Sequence, residues 1–378
     1  MNEYKAYIAL NMLSGVGPVR VKALLEHFTT VDNIFTQSIA ALCKVQGIGR
    51  KVAECIVHWQ QHIDLEEELK KIDQAGVTVL TPKDELYPDI FHELHAPPLC
   101  LYVRGNPQVL NELNSSIAVV GSRRMTMYGK TVTERIVTTA VLTQWTVVSG
   151  MAQGIDTIAH TVCVDHQGIT IAILGSGLAR IYPQDNCALA AKIAEKGAVI
   201  SEFPMTYPPD RRSFPMRNRL IAALSRGVLL VEAGLNSGSL ITANLALEQG
   251  KTVFAVPGRI DSVQSQGCHK LLKEGARLVE SFDDVLEEFR FLPLFENNHS
   301  YGKTPYLEKK EQVKVDPKLK LTDLEQKIFE FIDRGECSID QIVHEVQHPL
   351  GQTFATLIQM ETKRLIQPLP GKRYAVIK

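Results

Sequence analysis

Several glycine- and serine-rich clusters each stand directly after a short apolar run, and two of them carry arginine. Gly121-Ser122-Arg123-Arg124 follows residues 117–120, and Ser149-Gly150-Met151-Ala152-Gln153-Gly154-Ile155-Asp156 follows 146–148. Gly175-Ser176-Gly177 follows 170–174. Ser201-Glu202-Phe203-Pro204 and then Phe214-Pro215-Met216-Arg217-Asn218-Arg219 follow 198–200, and Glu232-Ala233-Gly234 with Ser237-Gly238-Ser239 follows 228–231. Small residues let backbone N–H groups approach a ligand, and a helix beginning there adds a dipole that favours anions. Arg123, Arg217 and Arg219 add charge-assisted contacts to phosphate oxygens. The chemistry asked for is the holding of several phosphates.

Neither nucleotide fingerprint fits. Gly129-Lys130-Thr131 has Arg124 where a P-loop needs its first glycine. Gly175-Ser176-Gly177-Leu178-Ala179-Arg180 has arginine in the third glycine position, and Tyr182-Pro183 interrupts the helix that should follow. A chain of phosphates, as in a nucleic acid, accounts better for separate basic and glycine-rich loops.

Catalytic candidates have structural explanations. Asp156 stands at a helix start, where a carboxylate caps free amides. Glu202 and Glu232 end strands and could pair as acid and base, but orienting Arg217 or Arg219 is the favoured role. Ser122, Ser149 and Ser237 lack a nucleophile elbow. His160 belongs to an apolar helix face and is expected in the core, and His92-x-x-His95 has no third ligand nearby. No catalytic residue, cofactor or metal is expected.

The elements that must position these clusters follow from periodicity. The runs at 117–120, 146–148, 170–174, 198–200, 228–231 and 252–256 are fully apolar and rich in β-branched residues, as expected of strands covered on both faces. Helical patterns at 128–142, 155–165, 186–195 and 239–249 separate them. Residues 86–290 are therefore expected to form an α/β, Rossmann-like, doubly wound and mostly parallel sheet, with its ligand at the carboxyl ends of the strands.

Residues 1–85 read as a helical domain with a repeated turn. Leu13-Ser14-Gly15-Val16-Gly17-Pro18 and Val45-Gln46-Gly47-Ile48-Gly49-Arg50 each precede apolar residues at helical spacing, which resembles a tandem helix–hairpin–helix, or SAM-like, element. Residues 291–319 read as a polar linker. Residues 320–378 read as three helices and a hairpin, a winged-helix-like arrangement. Between His348 and Thr362 there is no Lys or Arg, so protein contact suits this domain as well as DNA, with Lys372 and Arg373 its main basic feature.

The 378 residues carry 41 Lys plus Arg and 42 Asp plus Glu, so any nucleic-acid site must be a local patch. Such a patch exists: residues 211–226 hold five arginines and no acid. The seven cysteines are scattered, with no C-x-x-C, which fits reduced thiols of the cytoplasm. No signal segment or membrane-length apolar run is seen, so the expected location is cytoplasmic.

The middle segment resembles the DNA-processing protein A (DprA/Smf) family. The resemblance rests on Val120-Gly-Ser-Arg123 with Tyr128-Gly129, Ser149-Gly-x-Ala152-x-Gly-Ile-Asp156, Ile173-Leu-Gly-x-Gly177 with Tyr182-Pro183, Ile200-Ser-Glu-Phe-Pro204, Phe214-Pro-x-Arg-Asn-Arg219, Ser237-Gly-Ser-Leu-x-Thr242-Ala and Val256-Pro-Gly258. These blocks lie in the family's order over most of the segment.

The resemblance implies a non-enzymatic, sequence-nonspecific binder of incoming single-stranded DNA in natural transformation. It also implies a homodimer that helps to load the RecA recombinase. Carried onto this chain, it makes Arg123 the principal phosphate contact, within Gly121-Ser122-Arg123. Ser149, Gly150, Ala152, Gly154, Asp156, Gly175, Gly177, Phe214, Arg217, Asn218 and Arg219 are expected to line the same pocket. Met151 and Gln153 stand where the family pattern often reads Gly and Arg, which removes one cation, and His269 stands where many members have Asn. Two alternatives to this function are a nucleotide-processing hydrolase on the Rossmann-like fold and a binder of duplex or branched DNA through the hairpin pair. Pro257-Gly258-Arg259 lacks the Pro-Gly-Gly-x-Gly-Thr loop that the hydrolase would need.

Overall fold

A computed structural model describes residues 1–111, 113–290, 322–333, 337–346, 348, 352–353, 356–357, 359–360, 363, 365–369 and 373–376. The stretch 291–319, read as a linker, lies outside the described residues.

Nine strands form one sheet: β1 (Thr78–Leu80), β2 (Leu101–Gly105), β3 (Ser116–Val120), β4 (Thr146–Ser149), β5 (Thr170–Ile173), β6 (Ala198–Ser201), β7 (Gly227–Leu230), β8 (Thr252–Ala255) and β9 (Arg277–Leu278). Their spatial order is β1-β2-β6-β5-β4-β3-β7-β8-β9. The pairs from β6 through β9 are parallel, and β2 joins β6 antiparallel, as does β1 to β2. Every residue of β3 to β7 is buried, which is why those stretches read as continuous apolar runs. Leu99–Val103, leading into β2, is a buried apolar run of the same kind that the sequence reading omits, while β1 and β9 are too short to carry such a signal, and β1 begins inside the stretch 1–85.

The order of strands locates the site. From β3 the chain winds outward through β4, β5 and β6, and from β7 it winds the other way through β8 and β9. The switch point lies between β3 and β7, and the crevice outside their carboxyl ends is where a doubly wound sheet binds ligand. The connecting helices are Met127–Leu142, Ile155–Asp165, Cys187–Lys196, Ser213–Ala223 and Ser239–Glu248. Ser213–Ala223 differs from the sequence reading, which placed the Phe214–Arg219 cluster at a strand end. Pro215 falls in the helix's first turn, where a missing N–H costs nothing.

The helical N-terminal segment packs on the sheet in the same compact unit. Tyr7, Leu10 and Leu42 share a core with Tyr102, Leu174, Leu178 and Met205. The Met205 amide donates to Glu68 Oε1 at 2.7 Å, and Asn11 Nδ2 donates to the Glu202 carbonyl at 2.9 Å. The two predicted turns are present, with Gly15 at φ +77° and Gly47 at φ +84° before the helices Pro18–Phe28 and Arg50–Val57. Arg20 ties them together, donating to the carbonyls of both Gly15 and Gly47.

The C-terminal residues form a second unit. Helices Asp323–Ile332 and Ile339–Val346 accompany a sheet of β10 (Cys337–Ser338), β11 (Ile366–Leu369) and β12 (Arg373–Val376), with β12 central. Ile328, Ile332, Ile342, Leu357 and Ile366 make its core. Leu350, Phe354 and Ile358, apolar residues where the third helix is expected, and Lys372 of the expected hairpin lie outside the described residues.

Candidate nucleic-acid interface

The loop after β3 is shaped by close backbone packing. Gly154 has φ +85°, and a Cβ there would stand 2.2 Å from the Ser122 carbonyl, so only glycine fits. The Ile155 amide donates to that carbonyl at 3.2 Å, and a Cβ on Gly121 would meet the Ile155 side chain at 2.6 Å. Ser122 is buried, and its Oγ accepts from the Arg124 amide at 3.0 Å. Arg123 is consequently turned outward. It is exposed, its guanidinium lies 5.2 Å from the Phe214 ring centre, and it forms no ion pair among the described residues. The amides of Ser122 and Arg123 donate to no described residue.

Beneath this loop lies a buried support. Asp156 Oδ2 accepts from the amides of Gly150 (3.1 Å) and Ala152 (3.3 Å). Arg217, 4% exposed, donates through Nη1 to the carbonyls of Gly150 and Ile173, and through Nε to Asn218 Oδ1 at 3.0 Å. Burial pushes the Asp156 carboxyl up from its ordinary range, against the pull of Arg217 and the amides. Burial likewise draws the guanidinium down to about 10, with Asp156 opposing and Arg123 adding to the shift. Ser149 Oγ donates to the Val119 carbonyl at 2.7 Å.

These contacts sort the residues chosen from sequence. Gly121, Ser122, Arg123, Ala152, Asp156, Phe214, Arg217 and Asn218 all line the groove, and Ser122, Asp156, Arg217 and Asn218 are nearly buried. Gly150 lines a small cleft beside it, between Arg123, Tyr182 and Phe214. Gly175 and Gly177 line neither. Gly175 is covered by Phe214 and Ser213, and a Cβ on Gly177 would stand 2.0 Å from the Pro204 carbonyl. Arg219 also leaves the group: it pairs with Glu202, and both side chains are largely buried. Residues two apart on a helix are about 200° apart around it, so Arg217 and Arg219 cannot share a face.

Glu202 thus orients Arg219, in keeping with the role favoured for it. Burial raises its carboxyl, against the attraction of Arg219. Glu232 instead accepts from the Thr126 amide (2.8 Å) and hydroxyl (2.5 Å) at the start of the helix Met127–Leu142, and touches no arginine among the described residues. His160 is fully buried, with Nδ1 2.8 Å from Thr170 Oγ1, as a core residue should be.

The groove itself has a volume of about 810 Å³ and lies outside the ends of β3 and β7. Arg123, Arg124, Arg211 and Arg217 face it, and Asp156 is the one acid among its described lining residues. Arg124 and Arg211 were not singled out from sequence, although Arg211 opens the acid-free arginine run. Nor were Leu235, Asn236, Val263 and Gln264, which bring no charge and no motif of their own, whereas Ser237-Gly238-Ser239, read as a strand-end cluster, does line the groove. Among the described residues no cluster of ligands could hold a metal ion, and no helix is long and apolar enough to cross a membrane.

A doubly wound sheet with an arginine-lined groove at its switch point defines a Rossmann-like class of protein. Comparison with known proteins narrows that class. The family model described as DNA recombination-mediator protein A matches residues 78–290. Models for a SAM-like helix-hairpin-helix tandem and a DprA winged helix domain match residues 7–57 and 312–372. The chain is 34% identical to Protein Smf of Synechocystis sp. over 99% of both chains. It is similar to the crystal structure of DNA processing protein A from Streptococcus pneumoniae, with 35% identity and a TM-score of 0.68 over 77% of this chain and 100% of that one. A structure of the Helicobacter pylori protein, concerned with its single-stranded DNA binding mode, aligns at 31% identity and a TM-score of 0.51 over 57% of this chain and 95% of that one. The chain belongs to the DprA/Smf family.

Proposed function

We propose that this chain binds single-stranded DNA without sequence preference in the groove between β3 and β7. Arg123 carries the reading: an exposed guanidinium over an aromatic ring, beside two undonated amides and with no carboxylate partner among the described residues. Backbone phosphates supply the missing anions, with Arg124 and Arg211 extending the path, and Phe214 offers a face to a base. That the Helicobacter pylori relative binds single-stranded DNA supports the choice of ligand. Glu202, Glu232 and Ser149 are all engaged in internal contacts, which favours binding over catalysis. In keeping with its family, the chain is proposed to act in the cytoplasm as a homodimer, to receive DNA during transformation and to help load RecA.

Fluorescence anisotropy with labelled oligo-dT across a salt series tests this. The log–log slope should be about −0.7 per phosphate held, and Arg123→Ala should weaken binding and make the slope shallower by about one such step. Absence of binding at low salt would sink the proposal, and tighter binding of duplex would move the site to the hairpin pair.

A further inference from the structure

The groove has two chemically different halves. One carries Arg123, Arg124 and Arg211. The other, lined by residues from 234–242 and 263–266, contains no ionisable side chain. Leu235, Ile241 and Val263 are 55%, 41% and 65% exposed there, so this half offers aliphatic surface. Among them stand Asn236, Gln264 and Gln266, whose side-chain amides bond to no described residue. Phosphates find no cation in this half, only hydroxyls and the start of the helix Ser239–Glu248. A nucleobase suits it better, because it presents an apolar face with a polar edge, and each amide offers both a donor and an acceptor to any such edge.

We infer that this neutral half is a base-binding subsite, so that a strand crossing the arginines turns one or more bases toward β7. The inference rests on the proposed single-stranded-DNA function and extends it, because it commits the groove to holding bases as well as backbone. It follows from continuity: the neutral half opens from the cationic half at the switch point, where Asn218 reaches across to the Gly238 carbonyl at 3.5 Å. Amides that accept any base edge also keep the subsite tolerant of sequence.

The test compares two labelled probes on the full chain: oligo-dT, and an abasic deoxyribose-phosphate oligomer of equal length. The wild type should prefer oligo-dT. The triple variant N236A/Q264A/Q266A should lose about fivefold or more on oligo-dT, the equivalent of one or two modest hydrogen bonds, and should bind the abasic oligomer as the wild type does. Leu235→Asp, which places an anion in the aliphatic surface, should reduce the preference for oligo-dT further. Equal losses on both probes, or no loss on either, would overturn the subsite. Failure of the wild type to bind either probe would instead defeat the underlying DNA-binding proposal.

Discussion

The guanidinium of Arg217 occupies the space that a side chain at position 150 would need. A Cβ on Gly150 would stand 2.5 Å from Arg217 Nη1, the same nitrogen that donates to the Gly150 carbonyl. The glycine and the arginine are thus one device: a bare backbone lets a buried cation reach two carbonyls, and the cation fixes the loop on which Ala152 lines the groove. Gly150→Ala should displace that cation and destabilise the protein by about 1–3 kcal/mol, the usual cost of overpacking. Urea unfolding checks this, and a variant as stable as wild type would show that the loop is not held by Arg217.

Arg217 and Arg123 should respond oppositely to substitution. Arg217→Lys loses the planar fork that serves Gly150, Ile173 and Asn218 together. A loss of about 3 kcal/mol is expected, since buried charged hydrogen bonds are costly to leave unmade. Arg123→Ala removes an exposed side chain and should leave the unfolding midpoint nearly unchanged while weakening DNA binding. If Arg123→Ala instead unfolds the protein, its assignment to the ligand face is wrong.

Arg219 provides the counterpart. Its partner Glu202 is buried, and the Glu202 carbonyl accepts from Asn11 of the helical segment, so the pair supports the seam between helices and sheet. Arg219→Met should cost about 3–5 kcal/mol near neutral pH, because a buried carboxylate is left without its cation. The loss should shrink as the pH falls: burial already raises the Glu202 carboxyl, and without Arg219 it protonates more readily still. The salt slope for oligo-dT should remain that of the wild type. A slope made shallower in this variant would return Arg219 to the DNA path.

The contrast between Arg217 and Arg219 also marks the limit of what sequence made legible. Continuous apolar runs fixed β3 to β8 and the strand ends that carry the site, because strands buried on both faces need such runs. Gly121-Ser122-Arg123 was legible for the same reason: it directly follows one of them. The direction of each arginine was not. Placing the Phe214–Arg219 cluster at a strand end put both arginines in one pocket, whereas about 200° of helix separates them. Glycine chemistry was equally ambiguous, since Gly177 is required by the Pro204 carbonyl and not by a ligand. Of the neutral wall, Ser237-Gly238-Ser239 was legible because it follows a strand, whereas Asn236 and Gln264 were not, because they acquire meaning only when two distant loops meet.

His160 supplies a pH-dependent prediction. It is fully buried against Thr170, and burial, with the nearby charge of Arg217, pushes its imidazole from 6.5 down to about 3, partly offset by the Ser149 carbonyl. The folded protein therefore keeps this histidine neutral where the unfolded chain protonates it. Stability from this group is fully present above pH 6.5 and is lost as the pH falls from 6.5 toward 3, at about 1.4 kcal/mol per pH unit. His160→Asn retains a polar partner for Thr170 but cannot titrate. Between pH 6.5 and 5 the wild type should lose about 2 kcal/mol more than this variant, because all other titrating groups are common to both. Parallel stability profiles for the two proteins would mean that the imidazole is open to protonation in the folded state, and that the packing beneath the Ser149–Asp156 loop is looser than the contacts of Asp156 and Arg217 require.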